Sequence, residues 1–350
     1  MSPLLKKLLD IVKYVVVLSL SVFLMWYALK GINFDLLRAQ LYQTNFYWLG
    51  LSLTIALSGF LSRAYRWKMQ LQPINPKVTF TNTYHAMMIG YLANLVLPRM
   101  GEVFRCSILK RSSDIPIQAS FGTVITERLI DMVMLLSLMG IAFMVEFDRL
   151  HTYFLGLLTD RYNSVQQNST LIYVVVGLFV VGGLALIITL VFFLNSLRQN
   201  KFYLKVEALV RGFLNGIFSI AKLDNKPVFI AHTLFVWLTY YLMGYLSFFA
   251  LPATAGLSPM AAFAVLVIGS LGMSVPVQGG IGVFHMMVTN TLLLYGVAKE
   301  AGMAFALINH TSQTLMVVLL GGISFIISLS KKNNPNTVIN IVATPNEIHR

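Results

Sequence analysis

The sequence predicts an all-α polytopic membrane protein, and three observations lead to that fold class. Of the 350 residues, 57% are hydrophobic and only 11% are charged, whereas an ordinary soluble domain carries about 25% charged residues. The 72 residues from Pro227 to Ala298 contain no Asp, Glu, Lys or Arg. The apolar runs are continuous and not alternating, which favours membrane helices. A soluble enzyme, a disordered regulator and a nucleic-acid-binding domain are excluded, despite a formal net charge of +13.

The lengths of the apolar runs predict about six full transmembrane helices, because a helix needs about 20 residues to cross the hydrocarbon core. Two further segments, 78–111 and 259–296, contain Pro and Gly and are predicted to be re-entrant or broken helical hairpins that enter and leave on one side. The chain therefore has eight hydrophobic segments or more. The six predicted spans cover roughly residues 13–31, 45–64, 119–146, 170–194, 228–250 and 303–329.

The basic residues predict the orientation of the chain. With a cytoplasmic N-terminus, 20 of the 26 lysines and arginines lie on the cytoplasmic side and five lie outside, as the positive-inside rule requires. We therefore expect a multi-pass protein of the inner or cytoplasmic cell membrane with both termini inside. Residues 195–227 form an amphipathic cytoplasmic linker, either in the membrane interface or packed on the protein, and 331–350 form a polar cytoplasmic tail.

The two halves of the predicted membrane domain, 1–330, echo each other. The sequence LPRMGEVFR at 97–105 corresponds to VPVQGGIGVFH at 275–285. The two prolines, Pro98 and Pro276, are 178 residues apart, and so are the glycines Gly101 and Gly279. Three crossings in the first repeat, 10–146, place the second repeat, 170–330, in the inverted orientation. Such repeats bring broken helices together near the membrane midplane, where helix N-termini can bind phosphate or carboxylate.

The motifs resemble a known family. Asn94, LPRMGE at 97–102, Arg105 and TERLIDM at 126–132 are similar to the first-half signature of the lysylphosphatidylglycerol synthase transmembrane region, a flippase-like family, and GGIGVF at 279–284 is similar to its second-half signature. The resemblance covers roughly residues 10–330. It implies a translocating membrane region, here without the soluble aminoacyltransferase domain of bifunctional relatives. Phospholipids and polyprenyl-phosphate-linked sugars are the substrate classes that it implies.

Two groups of charged residues in the first half are candidate sites. Arg99, Glu102 and Arg105 surround a Gly-containing break and form either a cationic headgroup site or a solvated turn at the lipid surface. In the second group, Glu127 and Asp131 share a helix face, and Arg128 is placed to pair with Asp131. This group is either a structural lock or a set of pairs that exchange during transport. The lock could also brace the broken hairpin through Arg99 or Arg105.

The second half offers weaker candidates. Gly279, Gly280 and Gly282, next to Gln278, allow either close helix packing or close approach of a ligand. His285 stands where family members commonly have an acidic residue, and His310 lies near a position where many have arginine. Each histidine is interpreted either as a hydrogen-bonded packing residue or as a proton-coupling group. The sequence predicts no cofactor, metal site or catalytic residue, since Cys106 is the single cysteine and there is no DxD motif.

The functional hypothesis is translocation of a lipid with an anionic headgroup between leaflets, without enzymatic activity. In it, arginines hold the phosphate while Glu102, Glu127 and Asp131 balance charge or couple protons. The alternatives are a membrane subunit of a glycosyl- or aminoacyl-transferase system with a transferase partner, and a scaffold for lipid or cell-envelope synthesis. The expected partners are membrane lipids and not nucleic acid. The candidate substrate residues are Asn94, Arg99, Glu102, Arg105, Glu127, Arg128, Asp131, Gln278, Gly279, Gly280, Gly282, His285 and His310.

Overall fold

A computed structural model describes residues 18–96, 100–146, 223, 225–275 and 277–330. All regular elements within these residues are helices, which confirms the predicted all-α class. The elements of the N-terminal part are α1 (Leu18–Leu29), α2 (Phe34–Tyr42), α3 (Phe46–Leu71), α4 (Phe80–Val96), α5 (Gly101–Ser113) and α6 (Ile117–Val145). The C-terminal part contains α7 (Lys226–Phe248), α8 (Pro252–Ala255), α9 (Pro259–Ser274), a 3₁₀ turn (Gln278–Gly280), α10 (Val283–Leu294) and α11 (Lys299–Ser330).

Three of the described helices, α6, α7 and α11, are long and apolar enough to cross a membrane. A fourth crossing is possible if α1 and α2, which meet at 92°, form one broken span. The three helices coincide with predicted spans 119–146, 228–250 and 303–329. The predicted span 170–194, most of the linker 195–227 and the tail 331–350 lie outside the described residues. Six full spans and the inverted repeat therefore stay predictions.

Side-chain caps and prolines determine where several helices begin. The Asn33 side chain accepts hydrogen bonds from the backbone N–H groups of Asp35 and Leu36, and Asn45 caps α3 in the same way. Ser258 caps α9, whose first residue is Pro259. These residues satisfy backbone donors that a helix start leaves without an intrahelical partner.

One compact unit contains the described residues between 18 and 128 and between 223 and 330. Within it, α3 and α7 pack antiparallel, because Ser52 contacts Ser247 while Ser62 contacts His232. Residues 129–146, the continuation of α6 and the residue that follows it, are the described part of a second unit.

The described residues of the first unit form two hydrophobic cores. One joins α4 and α5 to the end of α3 and the start of α6, around the fully buried Trp67, Met87 and Leu109. The other joins α1, α10 and the start of α11 to the end of α7, around Phe248, Leu292 and Phe305. The two cores lie toward opposite ends of the antiparallel pair α3–α7.

Two helical hairpins occupy the segments predicted to be broken. In the first, α4 and α5 approach so closely that a Cβ atom at Gly90 would lie 2.8 Å from the carbonyl oxygen of Gly101. In the second, α9 and α10 are joined through the 3₁₀ turn, where Gly279, Gly280 and Gly282 all have positive φ. Only glycine adopts such a run of left-handed conformations at little steric cost.

Candidate functional site

The most unusual feature of the structure is a buried carboxylate that contacts three arginines. Glu127 on α6 is fully buried. Its Oε1 atom accepts from Arg63 Nε at 2.7 Å and from Arg66 Nη2 at 3.4 Å, and its Oε2 atom accepts from Arg105 Nη1 at 2.9 Å. Because burying a charge is costly unless it is paired, this cluster holds α3, α5 and α6 in one arrangement. We call these four residues the arginine cluster.

Helix α3 brings two of the arginines to the cluster. Arg63 and Arg66 are three residues apart and share one helix face, and their exposed fractions are 7% and 0%. Arg63 Nη1 also donates to the Tyr240 hydroxyl at 2.7 Å, and Arg66 Nη1 donates to Thr233 Oγ1 at 3.4 Å. Both of these partners lie on α7, so the cluster also ties the second half of the chain to the first.

The guanidinium of Arg105 packs on a tryptophan ring, and two of its nitrogen atoms have no hydrogen-bond partner within the described residues. Its guanidinium lies 4.8 Å from the centre of the Trp67 ring, and Trp67 is held by a hydrogen bond to Thr123. Nε and Nη2 of Arg105 are buried and have no hydrogen-bond partner within the described part of the chain. The Tyr91 hydroxyl on the adjacent helix is likewise buried without a partner there. Orphaned buried donors cost about 1–3 kcal/mol each, which a bound acceptor would recover.

One of the two interpretations of Arg105 from the sequence, a solvated turn at the lipid surface, does not agree with the structure. Its exposed fraction is 3%, because α5 folds back on α4 and carries the side chain inward. Glu102 lies one turn earlier on α5 and has a different partner, because its Oε1 atom accepts a hydrogen bond from Arg128 Nη2 at 2.7 Å. This second pair is more exposed, with half of the Arg128 side chain accessible. Asp131 lies one turn after Glu127 in the second unit and is half-buried.

Asn94 acts at the break of the first hairpin. Its Oδ1 atom accepts from the backbone N–H of Gly101, the first residue of α5, at 2.8 Å. The side chain therefore satisfies a donor at the helix start, which leaves one fewer N–H group there for a ligand. Arg99 lies outside the described residues.

The residues predicted in the second half meet at the second break. His285 Nδ1 accepts from the backbone N–H of Gly282 at 3.3 Å and so caps α10. His310 Nε2 donates to the Gly279 carbonyl at 2.7 Å, since a carbonyl can only accept. The two rings lie 4.8 Å apart. These contacts support the packing interpretation of both histidines, and a role in proton coupling stays a prediction.

The glycines at this break serve close packing. A Cβ atom at Gly282 would lie 2.6 Å from the backbone of Leu24 and Met25 on α1, and one at Gly280 would collide with the side chain of Met273. Gln278 links the two breaks, because its Nε2 atom donates to the Leu95 carbonyl at 2.8 Å and to the Val96 carbonyl at 3.2 Å.

Residues 11–321 match the family described as the lysylphosphatidylglycerol synthase TM region. The chain belongs to this family. Two UPF0104 membrane proteins of Methanocaldococcus jannaschii are similar to it. MJ1595 is 29% identical over 128 residues, which are 35% of this chain and 38% of the relative. MJ1078 is 25% identical over 240 residues, which are 68% of this chain and 94% of the relative. The match thus spans little more than a third of the length of MJ1595. No solved structure matches the chain significantly.

Two residues of the arginine cluster, Arg63 and Arg66, are not among the candidates predicted from the sequence. The predicted span ends at residue 64, so both count there as charges that orient the chain. Helix α3 instead continues to Leu71 and buries both residues. An Arg-x-x-Arg pair on one helix face, followed directly by a tryptophan, was the available signal. Across the described residues, no group of three or more His, Cys, Asp or Glu side chains could hold a metal ion.

The contact between the breaks gives a first prediction. We expect Gln278→Ala to lower the free energy of unfolding of the protein by about 0.5–1.5 kcal/mol, because the Leu95 carbonyl loses its side-chain donor. Unfolding in mixed micelles, followed as the SDS fraction rises, would measure the change. Gln313→Ala is the control, because its side chain contacts Asn309 within the same helix. Equal effects of the two substitutions would contradict a special role for the contact between the breaks.

Proposed function

We propose that the protein translocates a phospholipid or a polyprenyl-phosphate-linked lipid between leaflets, with Arg105 holding the phosphate. The observation that carries this proposal is the orphaned pair of donors on Arg105, buried beside the arginine cluster. Two N–H donors in the fixed plane of a guanidinium match two oxygens of a phosphate. The Tyr91 hydroxyl supplies a third polar group on the adjacent helix.

Membership of the family supports a membrane role, and the helix contacts support a transport mechanism. In the proposed inverted repeat, α3 corresponds to α7, and the two hairpins α4–α5 and α9–α10 correspond to each other. The arginine cluster and Gln278 both connect the two halves. Rocking of one repeat against the other would open the headgroup site to each leaflet in turn, while the Glu102–Arg128 pair could open and close at the edge of the site.

Purified protein in liposomes tests the proposal. Fluorescent phosphatidylglycerol, phosphatidylcholine and a polyprenyl-phosphate-linked sugar would be supplied separately, and dithionite quenching would report the label that has changed leaflet. We expect exchange of at least one anionic lipid well above that of protein-free liposomes. The proposal would be wrong if none of the three lipids exchanged faster than in those liposomes.

We expect Arg105→Gln to slow this exchange by about tenfold to a hundredfold, because a charge-assisted hydrogen bond contributes about 1.5–3 kcal/mol. Lys110→Gln is the matched control, since Lys110 lies on the same helix and its exposed ammonium contacts only Asp114 among the described carboxylates. Thermal melting of both variants separates loss of transport from loss of the fold. An unchanged exchange rate in Arg105→Gln would remove Arg105 from the site.

A further inference from the structure

A polar cavity lies in the first unit, at the end opposite the arginine cluster. It has a volume of about 320 Å³ and is formed by the end of α1, the middle of α10 and the start of α11. This volume fits a lipid headgroup and is too small for a whole lipid. The lining residues are Tyr27, Ala28, Lys30, Met286, Thr289, Asn290, Lys299 and Met303.

Two lysines give this cavity a positive charge. Lys299 Nζ donates to the Lys30 carbonyl at 3.0 Å, which leaves two of its three N–H donors for other acceptors. Lys30 Nζ lies 5.8 Å from the centre of the Trp26 ring. Neither lysine forms an ion pair with a described carboxylate. The neighbouring acid, Glu300, instead accepts from the backbone N–H of Asn33 at 3.4 Å.

A buried hydroxyl provides an independent sign of a ligand. Thr289 lines the cavity with an exposed fraction of 2%, and its Oγ1 atom has no hydrogen-bond partner within the described residues. A threonine hydroxyl in a helix usually donates to the carbonyl one turn earlier, as Thr291 does to Met287. Thr289 lines the cavity, and its buried hydroxyl has a hydrogen-bonding capacity that an acceptor bound there would satisfy.

The cavity is far from the arginine cluster and continuous with an apolar surface. Lys299 is the first residue of α11, and the start of α11 belongs to the hydrophobic core at the end of α7. The end of α7 lies beside the start of α3, because Ser247 contacts Ser52. Arg63 lies 17 residues after Phe46 on α3, about 25 Å along the helix axis. Val22, Phe23 and Trp26 are exposed along α1, so acyl chains could follow this helix from the cavity.

We infer that this cavity binds the phosphate of an anionic phospholipid headgroup, as a second station at the end of the protein opposite the arginine cluster. Lys30 and Lys299 attract the phosphate, and the Thr289 hydroxyl donates to one of its oxygens. The choice of a lipid rests on the proposed function, but binding at this cavity is measurable without transport.

Native mass spectrometry of the whole protein, released from micelles containing phosphatidylglycerol or phosphatidylcholine, tests the inference. We expect retention of phosphatidylglycerol over phosphatidylcholine, and about a fivefold loss of that retention for Lys30→Gln and for Lys299→Gln. Thr289→Val has the same shape without the hydroxyl and should lower retention by a similar factor. Arg38→Gln is the control, because it removes the same charge from the exposed, neighbouring helix α2, outside the cavity.

Three results would overturn the inference. One is equal retention in Arg38→Gln and the two lysine variants, which would indicate attraction by general charge. Another is unchanged retention in Thr289→Val. The third is full displacement of the lipid by millimolar inorganic phosphate, which would indicate a site for a soluble anion. Failure of the liposome assay with intact phosphatidylglycerol retention would contradict the proposed transport and leave this site standing.

Discussion

Glu127→Gln is expected to destabilise the protein by about 3–5 kcal/mol, because it removes the negative charge from a fully buried carboxylate that contacts three arginines. Breaking a buried ion pair by changing one partner leaves the other charges uncompensated in a medium of low dielectric. Glutamine has almost the same shape, so the loss reports charge and not volume. Unfolding in mixed micelles, as the SDS fraction rises, gives the free energy.

The matched control for this substitution is Asp114→Asn, which removes a carboxylate from an exposed pair with Lys110. We expect no measurable change there, because exposed pairs contribute little. A second variant, Glu127→Gln with Arg63→Met, should recover part of the loss, since it removes one of the uncompensated cations. A loss below about 1 kcal/mol in Glu127→Gln would show that the cluster is not a structural centre of the fold. A double variant that is as unstable as the sum of the single variants would argue against direct coupling.

Gly101→Ala is expected to destabilise the α4–α5 hairpin by about 1–3 kcal/mol, the usual cost of overpacking. A Cβ atom at Gly101 would collide with the carbonyl oxygen of Gly90 and would lie 2.6 Å from the side-chain amide of Asn94. The Gly90 carbonyl is backbone and cannot rotate away, so the two helices must separate. Their separation would also move Arg105, which lies one turn later on α5, away from Glu127.

Gly122→Ala is the control for this substitution, because a Cβ atom at Gly122 on α6 would meet no described atom within 4 Å apart from the neighbouring backbone of its own helix. There we expect unchanged or slightly higher stability, since alanine favours the helix. The same unfolding measurement applies to both variants. If Gly101→Ala were as stable as the original protein, the close approach of α4 and α5 would be wrong.

The class of the protein could be predicted from composition, because a 72-residue segment without a charged side chain is far from the roughly 25% charged residues of a soluble domain. Helix bounds followed from the lengths of the apolar runs, and α6, α7 and α11 lie close to their predicted spans. The predicted span at 45–64 ends too early, because α3 continues to Leu71 and buries Arg63 and Arg66, which the sequence-based prediction counts among the cytoplasmic charges that orient the chain. Hydropathy cannot distinguish an arginine in water from one paired inside the protein, since both interrupt an apolar run equally.

For the candidate site residues too, the sequence indicates which residues are unusual and does not indicate which of them are in contact. Glu127 and Arg105 could be singled out because ionisable residues in an apolar chain are costly, but their contact spans 22 residues and two helices. Arg128 was expected opposite Asp131 on its own helix, and the structure places it against Glu102 on α5. The cavity at Lys30 and Lys299 joins residues 269 positions apart, and no spacing in the chain indicates it.

The amino-acid sequence by itself therefore determined that this protein is helical, lies in a membrane and belongs to its family, because those properties depend on local apolar runs and short motifs. Only the tertiary structure decided which charges share one buried site and which line a separate cavity. Pairing of that kind depends on how helices distant in the chain pack against each other. Arg63, Arg66 and Arg105 become partners of Glu127 only when α3 and α5 fold against α6.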